Sequence, residues 1–228
     1  MATILQIETA TQVCSAALSV NGETIALKEL AAQNIHAGSL TLFIEEVMEK
    51  AGVSYTDLDA VAVSSGPGSY TGLRIGVSTA KGICFAVDKP LIGISTLRMM
   101  AKGFLTLFPD YTGLVCPMID ARRMEVFTGL YDASLQEILP VTAKIIDEHA
   151  YEEELASGQI TFIGDGALKC SDSILSVNAA FSSLNFNSAA NMSSLADQAF
   201  NSVHFEDVAY FEPYYLKDFV ITPAKKKV

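Results

Sequence analysis

The sequence predicts an α/β fold made of a duplicated βββαβαβα unit, with the second copy reduced. Three observations predict it. Segments that alternate apolar and polar residues are followed, in turn, by segments with helical spacing, over the first hundred or so of 228 residues. The pattern then restarts: "CPMIDARRMEVFTGLY" can be laid on "LQIETATQVCSAALS" at an offset of 112 residues, matching Ile7 to Ile119, Glu8 to Asp120 and Leu18 to Leu130. Glycine turns also recur. At an offset of 98 residues Gly66-Pro67-Gly68 meets Gly164-Asp165-Gly166, and Ser95-Thr96-Leu97 meets Ser193-Ser194-Leu195.

Each element has its own local reason. "TILQIET", "VCSAALSV" and "ETIALKEL" alternate as strands, and Asn21-Gly22 is a hairpin turn between the second and third. "SLTLFIEEVMEKAG" spaces Leu40, Phe43, Ile44, Val47 and Met48 along one helical face, and Gly52 is placed to stop that helix. "AVAVSS" is a fourth strand. The turn "SSGPGSYTGLRIG" follows it and opens a helix over 71–87, capped by Ser69 or Thr71. "PLIGI" is a fifth strand, and "STLRMMAKGFL" a helix capped by Ser95 or Thr96. The domains expected are 1–108, carrying the glycine-rich turn, and 109–228, the reduced copy with the C-terminal tail. Between Ser134 and Asn185 the pattern weakens, so missing or shortened helices are expected there, and 173–196 reads as a loop leading into a helix.

Composition narrows the function. Half the residues are hydrophobic and 18% charged, as in a globular protein. A net charge of -11 repels phosphate backbones and argues against independent nucleic-acid binding. The four cysteines lack CxxC spacing and read as buried reduced thiols, which favours the cytoplasm. The start has no basic, apolar leader, and no stretch is long and apolar enough for a membrane span, so no membrane association is expected.

Two such units facing each other describe the architecture of actin, sugar kinases and Hsp70, the ribonuclease H-like, actin-like ATPase class. There the acid after each first strand lies near the nucleotide phosphates. Glu8, with Thr9 beside it, and Asp120 take those places and are weak candidates for binding phosphate and a metal ion. The competing reading is that they satisfy backbone donors in their turns. The glycine turn is not a P-loop, because no lysine follows Gly72, and its GxGxxxG is one residue too long for a dinucleotide turn. ATP is therefore expected only weakly or within a complex, with no cofactor tightly bound.

Catalytic and metal-binding groups are not evident. His36, His149 and His204 form no HxxxH or HExxH pair, and there is no GxSxG elbow. His36 reads as a polar first-turn residue, Arg122-Arg123 as a pair open to phosphate or RNA but more often found in surface ion pairs, and the tail "AKKKV" as a frayed end with a weaker chance of touching tRNA. No catalytic residue and no metal site is assigned.

The helix over 71–87 raises a different prospect. Gly72, Gly76 and Ala80 recur every four residues, so one flank has almost no side chains, and Ile75 and Thr79 lie beside it. Small residues let a second helix approach closely. That neighbour is either part of this chain or a partner protein.

"SSGPGSYTGLRIGVSTAKG", "GISTL", "MIDARRMEVFTGLY", "FIGDGA" and "EPYYLK", in that order, resemble the TsaB (YeaZ) proteins of bacteria, over residues 3–217. The resemblance implies the actin-like ATPase fold. It implies a role in making N6-threonylcarbamoyladenosine at adenosine 37 of tRNAs reading ANN codons, as a non-catalytic partner that pairs with and activates the TsaD transferase. The pathway ATPase TsaE is a further implied partner, tRNA is met indirectly, and a homodimer is open to the chain alone. The resemblance favours Leu40, Phe43, Ile44, Val47, Gly72, Ile75, Gly76, Thr79 and Ala80 as the partner interface. The chain departs from the family pattern at Glu8 (usually aspartate), Tyr70 (often Phe) and Lys217 (commonly Arg). Two rivals remain: an actin-like ATP-binding phosphotransferase or ATPase, and, more weakly, a glycoprotease-like metallopeptidase.

Overall fold

A computed structural model describes residues 1–32 and 35–217. The basic tail lies outside the described residues. Two five-stranded mixed sheets carry the fold, and they have the same topology. The first is ordered β3-β2-β1-β4-β5, from β1 (Thr3–Glu8), β2 (Val13–Val20), β3 (Glu23–Ala31), β4 (Ala60–Gly66) and β5 (Leu91–Ser95). The second runs β8-β7-β6-β9-β10, from β6 (Leu114–Asp120), β7 (Glu125–Tyr131), β8 (Glu137–Ile145), β9 (Ile160–Ile163) and β10 (Ala179–Phe181). In each, the first strand pairs antiparallel with the second and parallel with the fourth: Glu8 faces Ser15 and Ile4 faces Ala60, as Asp120 faces Val126 and Leu114 faces Ile160.

The repeat seen in the sequence is thus a repeat of topology. Gly66 ends β4 and Gly164 follows β9, at φ of 112° and 97°, a region that favours glycine. The helices are unequal. The first unit has α1 (His36–Ala51), α2 (Tyr70–Val87) and α3 (Thr96–Leu107). The second, among the described residues, has the six-residue α4 (Glu152–Ser157), the 3-10 turns Leu168–Cys170 and Ala189–Met192, and α5 (Ser193–Asn201). The expected loop over 173–196 also contains β10, a three-residue edge strand whose half-buried Ala179–Phe181 gives too short an alternation to be seen in the sequence.

Three apolar layers hold the sheets. Leu5 and Ile7 point to one face of β1, where they pack with Leu40, Ile44 and Val47 of α1 and Val77, Ala80 and Cys84 of α2. Ile4 points to the other face, where Met100 and Phe104 of α3 and Leu195 of α5 meet Val115, Ile119 and Tyr131 of the second sheet. The far side of the second sheet is closed by Tyr151, Leu155, Cys170 and Ile174. The chain beyond β10 returns to the first sheet: Ala189 N–H donates to Ser15 Oγ at 3.0 Å, and Glu206 N–H to the Leu91 carbonyl at 2.8 Å. All four cysteines are buried and unpaired. No helix of the described residues is long and apolar enough to cross a membrane.

The packing of α1 and α2 corrects the expected interface. Leu40, Phe43, Ile44, Val47, Gly72, Gly76 and Ala80 are buried inside the chain. The glycine flank is covered by the chain's own turn after β1. A Cβ on Gly72 would run into the Thr9 carbonyl, and one on Gly76 into Thr9 Oγ1, with Val63 Cγ2 at 3.5 Å. Only Ile75 and Thr79, half-buried at the rim, remain near the surface. Gly76→Leu is therefore expected to destabilise the isolated chain by about 1–3 kcal/mol, the usual cost of overpacking, read as a lowered Tm in thermal unfolding. An unchanged Tm would contradict this packing.

Candidate functional site

The ends of both first strands open onto a cleft of about 780 Å³ between the units. One wall is Ala10–Gln12, the first turn of α1 at His36 and Ala37, and the glycine turn from Gly68 to Gly72. The other is Ile119–Arg122, Phe127 and Asp165, with Tyr214–Lys217 alongside.

The glycine turn is shaped by close approach. Ser69 N–H donates to the Ala10 carbonyl at 2.7 Å, and a Cβ at Gly68 would lie 2.5 Å from that oxygen. Ser69 Oγ then caps α2 by accepting from Gly72 N–H at 3.2 Å. A C-terminal strap lies over the same turn. Tyr214 N–H donates to the Ser65 carbonyl at 2.7 Å, the Tyr215 ring packs at a tilt against Tyr70 with ring centres 4.7 Å apart, and Arg74 lies 4.5 Å over the Tyr70 ring. Lys217 crosses to the second unit and pairs with Glu125.

The weak phosphate candidates part company here. Glu8 and Thr9 are fully buried and do not line the cleft. Thr9 Oγ1 donates to the Gly72 carbonyl at 2.8 Å. Glu8 Oε1 accepts from Ala10 N–H at 2.6 Å, satisfying its own turn, while Oε2 has no hydrogen-bond partner. Burial pushes the Glu8 carboxyl up to about 7, against the pull of its bond to Ala10. Asp120 does line the cleft, but its Oδ1 accepts from Lys169 Nζ at 2.5 Å and from Arg122 N–H at 2.8 Å. Burial raises the Asp120 pKa, and those two bonds more than offset it, leaving it below the ordinary carboxylate value. Asp165 is shifted the other way, chiefly by burial and also by Asp120 beside it, although its Oδ1 accepts from Asp120 N–H at 3.0 Å.

The magnesium nucleotide that an actin-like fold implies therefore does not fit these residues. One carboxylate is walled off and the other is taken by an ammonium. Among the described residues no three His, Cys, Asp or Glu side chains gather as metal ligands. His36 begins α1 as expected but is buried, its Nε2 2.7 Å from the Thr11 carbonyl. Among the described residues Arg122 and Arg123 form no ion pair; they make the β6–β7 turn, at φ of 71° and 49°. Lys169 was not visible as a site residue, since nothing in "GALKC" links it to a turn 45 residues earlier.

A family described as TsaD, tRNA N6-adenosine threonylcarbamoyltransferase, matches residues 29–227. The chain belongs to that family. Within it, the chain is 38% identical to the tRNA threonylcarbamoyladenosine biosynthesis protein TsaB of Haemophilus influenzae over 55% of its own length and 52% of that relative. The match thus spans about half the length of the curated relatives. YeaZ from Pseudomonas aeruginosa superposes with a TM-score of 0.81 at 26% identity, over 95% of this chain and 100% of that one. An activator of 2-hydroxyisocaproyl-CoA dehydratase from Clostridium difficile, solved with bound ADPNP, gives 0.51 at 11% identity over 88% and 95%, a likeness of fold alone. The fold is the actin-like α/β class that the duplication pointed to.

The buried Glu8 has a consequence for stability. The folded chain keeps the proton up to about pH 7, whereas the unfolded chain releases it near the ordinary 4.5. Across that window the native state binds more protons, so this group lowers stability as pH rises and keeps it lowered above. Glu8→Gln is expected to gain on the wild type between those pH values, by on the order of 3 kcal/mol at most. Thermal unfolding of both at several pH values checks it, and a constant difference across the window would contradict it.

Proposed function

We propose that this chain is a non-catalytic subunit in the synthesis of threonylcarbamoyladenosine on tRNA, working in the cytoplasm by pairing with a TsaD-type transferase. One observation carries the pairing. The outward face of α2, where a surface helix ordinarily places charge, presents Phe85 at 86% exposure beside exposed Gly82 and Ala86. Ile75 and Thr79 lie along the same side, and the eighteen-residue helix has only Arg74 and Lys81 as charges. An apolar, largely uncharged helix face of this kind suits a protein contact. α1 packs against α2 and adds Leu42, 60% exposed, on its own outer side.

The likeness to TsaB and YeaZ proteins supports the biosynthetic role, and the engaged carboxylates support leaving the chemistry to the partner. On this reading the transferase supplies the catalytic groups, TsaE joins the assembly, tRNA is met through the complex, and α2 also serves a homodimer when the partner is missing. ATP binds weakly or only in the complex.

A second reading, an ATP-binding phosphotransferase, draws on the size of the cleft and its two helix N-termini. Calorimetry with magnesium ATP separates the two: micromolar binding by the isolated chain, abolished by Asp120→Ala, would favour the phosphotransferase.

Phe85→Asp tests the pairing. It is expected to leave the Tm of the isolated chain nearly unchanged, as for a surface substitution, and to weaken binding to the transferase by about tenfold or more. Ile138→Asp, at a half-exposed position on the edge strand β8, should leave binding intact. Equal effects of the two, or none from Phe85→Asp, would refute α2 as the contact.

A further inference from the structure

We infer that Lys169 is a built-in cation: its ammonium holds the β6–β7 turn together at the place beside Asp120 where a divalent ion would otherwise sit. An ammonium has three N–H donors. Lys169 Nζ finds three acceptors, Asp120 Oδ1 at 2.5 Å, the Arg123 carbonyl at 2.7 Å and the Glu125 carbonyl at 2.7 Å. One carboxylate and two carbonyl oxygens converging on a point are the donor set of a bound hard cation. Here that cation is covalently part of the chain and arrives on the 3-10 turn Leu168–Cys170.

The turn needs such a charge. Arg122 and Arg123 both sit at positive φ, uncommon for residues with side chains. The turn closes through Glu125 N–H to the Arg122 carbonyl at 3.2 Å and Ala121 N–H to the Glu125 carbonyl at 3.1 Å. Two of its carbonyls, those of Arg123 and Glu125, converge with Asp120 Oδ1 on the Lys169 ammonium. Without a cation these three oxygens would repel one another. With Lys169 in place, magnesium, which binds oxygens at about 2.0–2.1 Å in near-octahedral order, would share Asp120 Oδ1 with an ammonium already in contact. The second-unit wall of the cleft is thereby preset without metal. The inference concerns this turn alone and does not depend on the pairing proposed above.

The test uses the full chain and manganese, whose binding is read by electron paramagnetic resonance. The wild type is expected to bind no manganese that Asp120→Asn abolishes, and magnesium should not move its Tm. Lys169→Met should melt lower, recover part of that loss in magnesium, and bind manganese about tenfold or more tighter than the wild type, since an ion that binds only the folded chain raises its stability. Adding Asp120→Asn to Lys169→Met should remove both gains. Manganese bound by the wild type in an Asp120-dependent way would overturn the inference. So would a folded Lys169→Met whose Tm is unchanged or indifferent to magnesium. Amine methylation of the native wild type, mapped by mass spectrometry, needs no substitution in Lys169. Lys169 should react at least about tenfold more slowly than exposed Lys50, because its three donors are engaged. Equal rates would overturn the inference as well.

Discussion

The structure depends on the close approach of one turn to one helix. Thr9 and Ala10, just past β1, lie against the helix and its turn, the Ala10 carbonyl on Gly68, the Thr9 carbonyl on Gly72 and the Thr9 side chain on Gly76, with Ser69 N–H on the Ala10 carbonyl and Thr9 Oγ1 on the Gly72 carbonyl. No side chain on Gly68, Gly72 or Gly76 would fit. This contact fixes the roll of α2 about its axis. It turns Leu73, Val77 and Cys84 into the core and leaves Phe85, Gly82 and Arg74 outside. It also sets the first turn of α2 at the mouth of the cleft. A glycine strip that looks made for a second protein is filled by the chain itself.

The two units keep one topology and divide the labour of their acidic turns. In the first, Glu8 is sealed beneath the turn and serves Ala10 N–H. In the second, the long helix after the glycine turn shrinks to Leu168–Cys170, and that shortening lets Lys169 reach back to Asp120. Neither carboxylate is free to hold a phosphate-bound metal. The strap from Tyr214 to Lys217 then ties the glycine turn of one unit to Glu125 of the other.

Much of the fold was legible because its signals are local. Asn21-Gly22 at positive φ, Gly52 as the stop of α1, and Ser69 and Ser95 as caps each act within a few residues. The duplication was legible because matched strands keep matched residues, such as Ile7 with Ile119. The site was less so. Apolar spacing in α1 and small residues in α2 show that a face is packed, and they do not show against what. Thr9 as the occupant of the glycine strip, β10 as an edge strand and Lys169 as the partner of Asp120 all depend on contacts between distant segments, which no periodicity encodes.

Which way the glycine flank faces decides between a contact inside the chain and a contact with a partner. Nuclear Overhauser effects in the isolated chain report it directly. The β-proton of Thr9 and a γ-methyl of Val63 should show strong effects to an α-proton of Gly76, unchanged when the transferase is added. If those effects are absent in the free chain, or if the glycine α-protons gain effects to the transferase in the complex, the strip faces outward and this account of α2 is wrong.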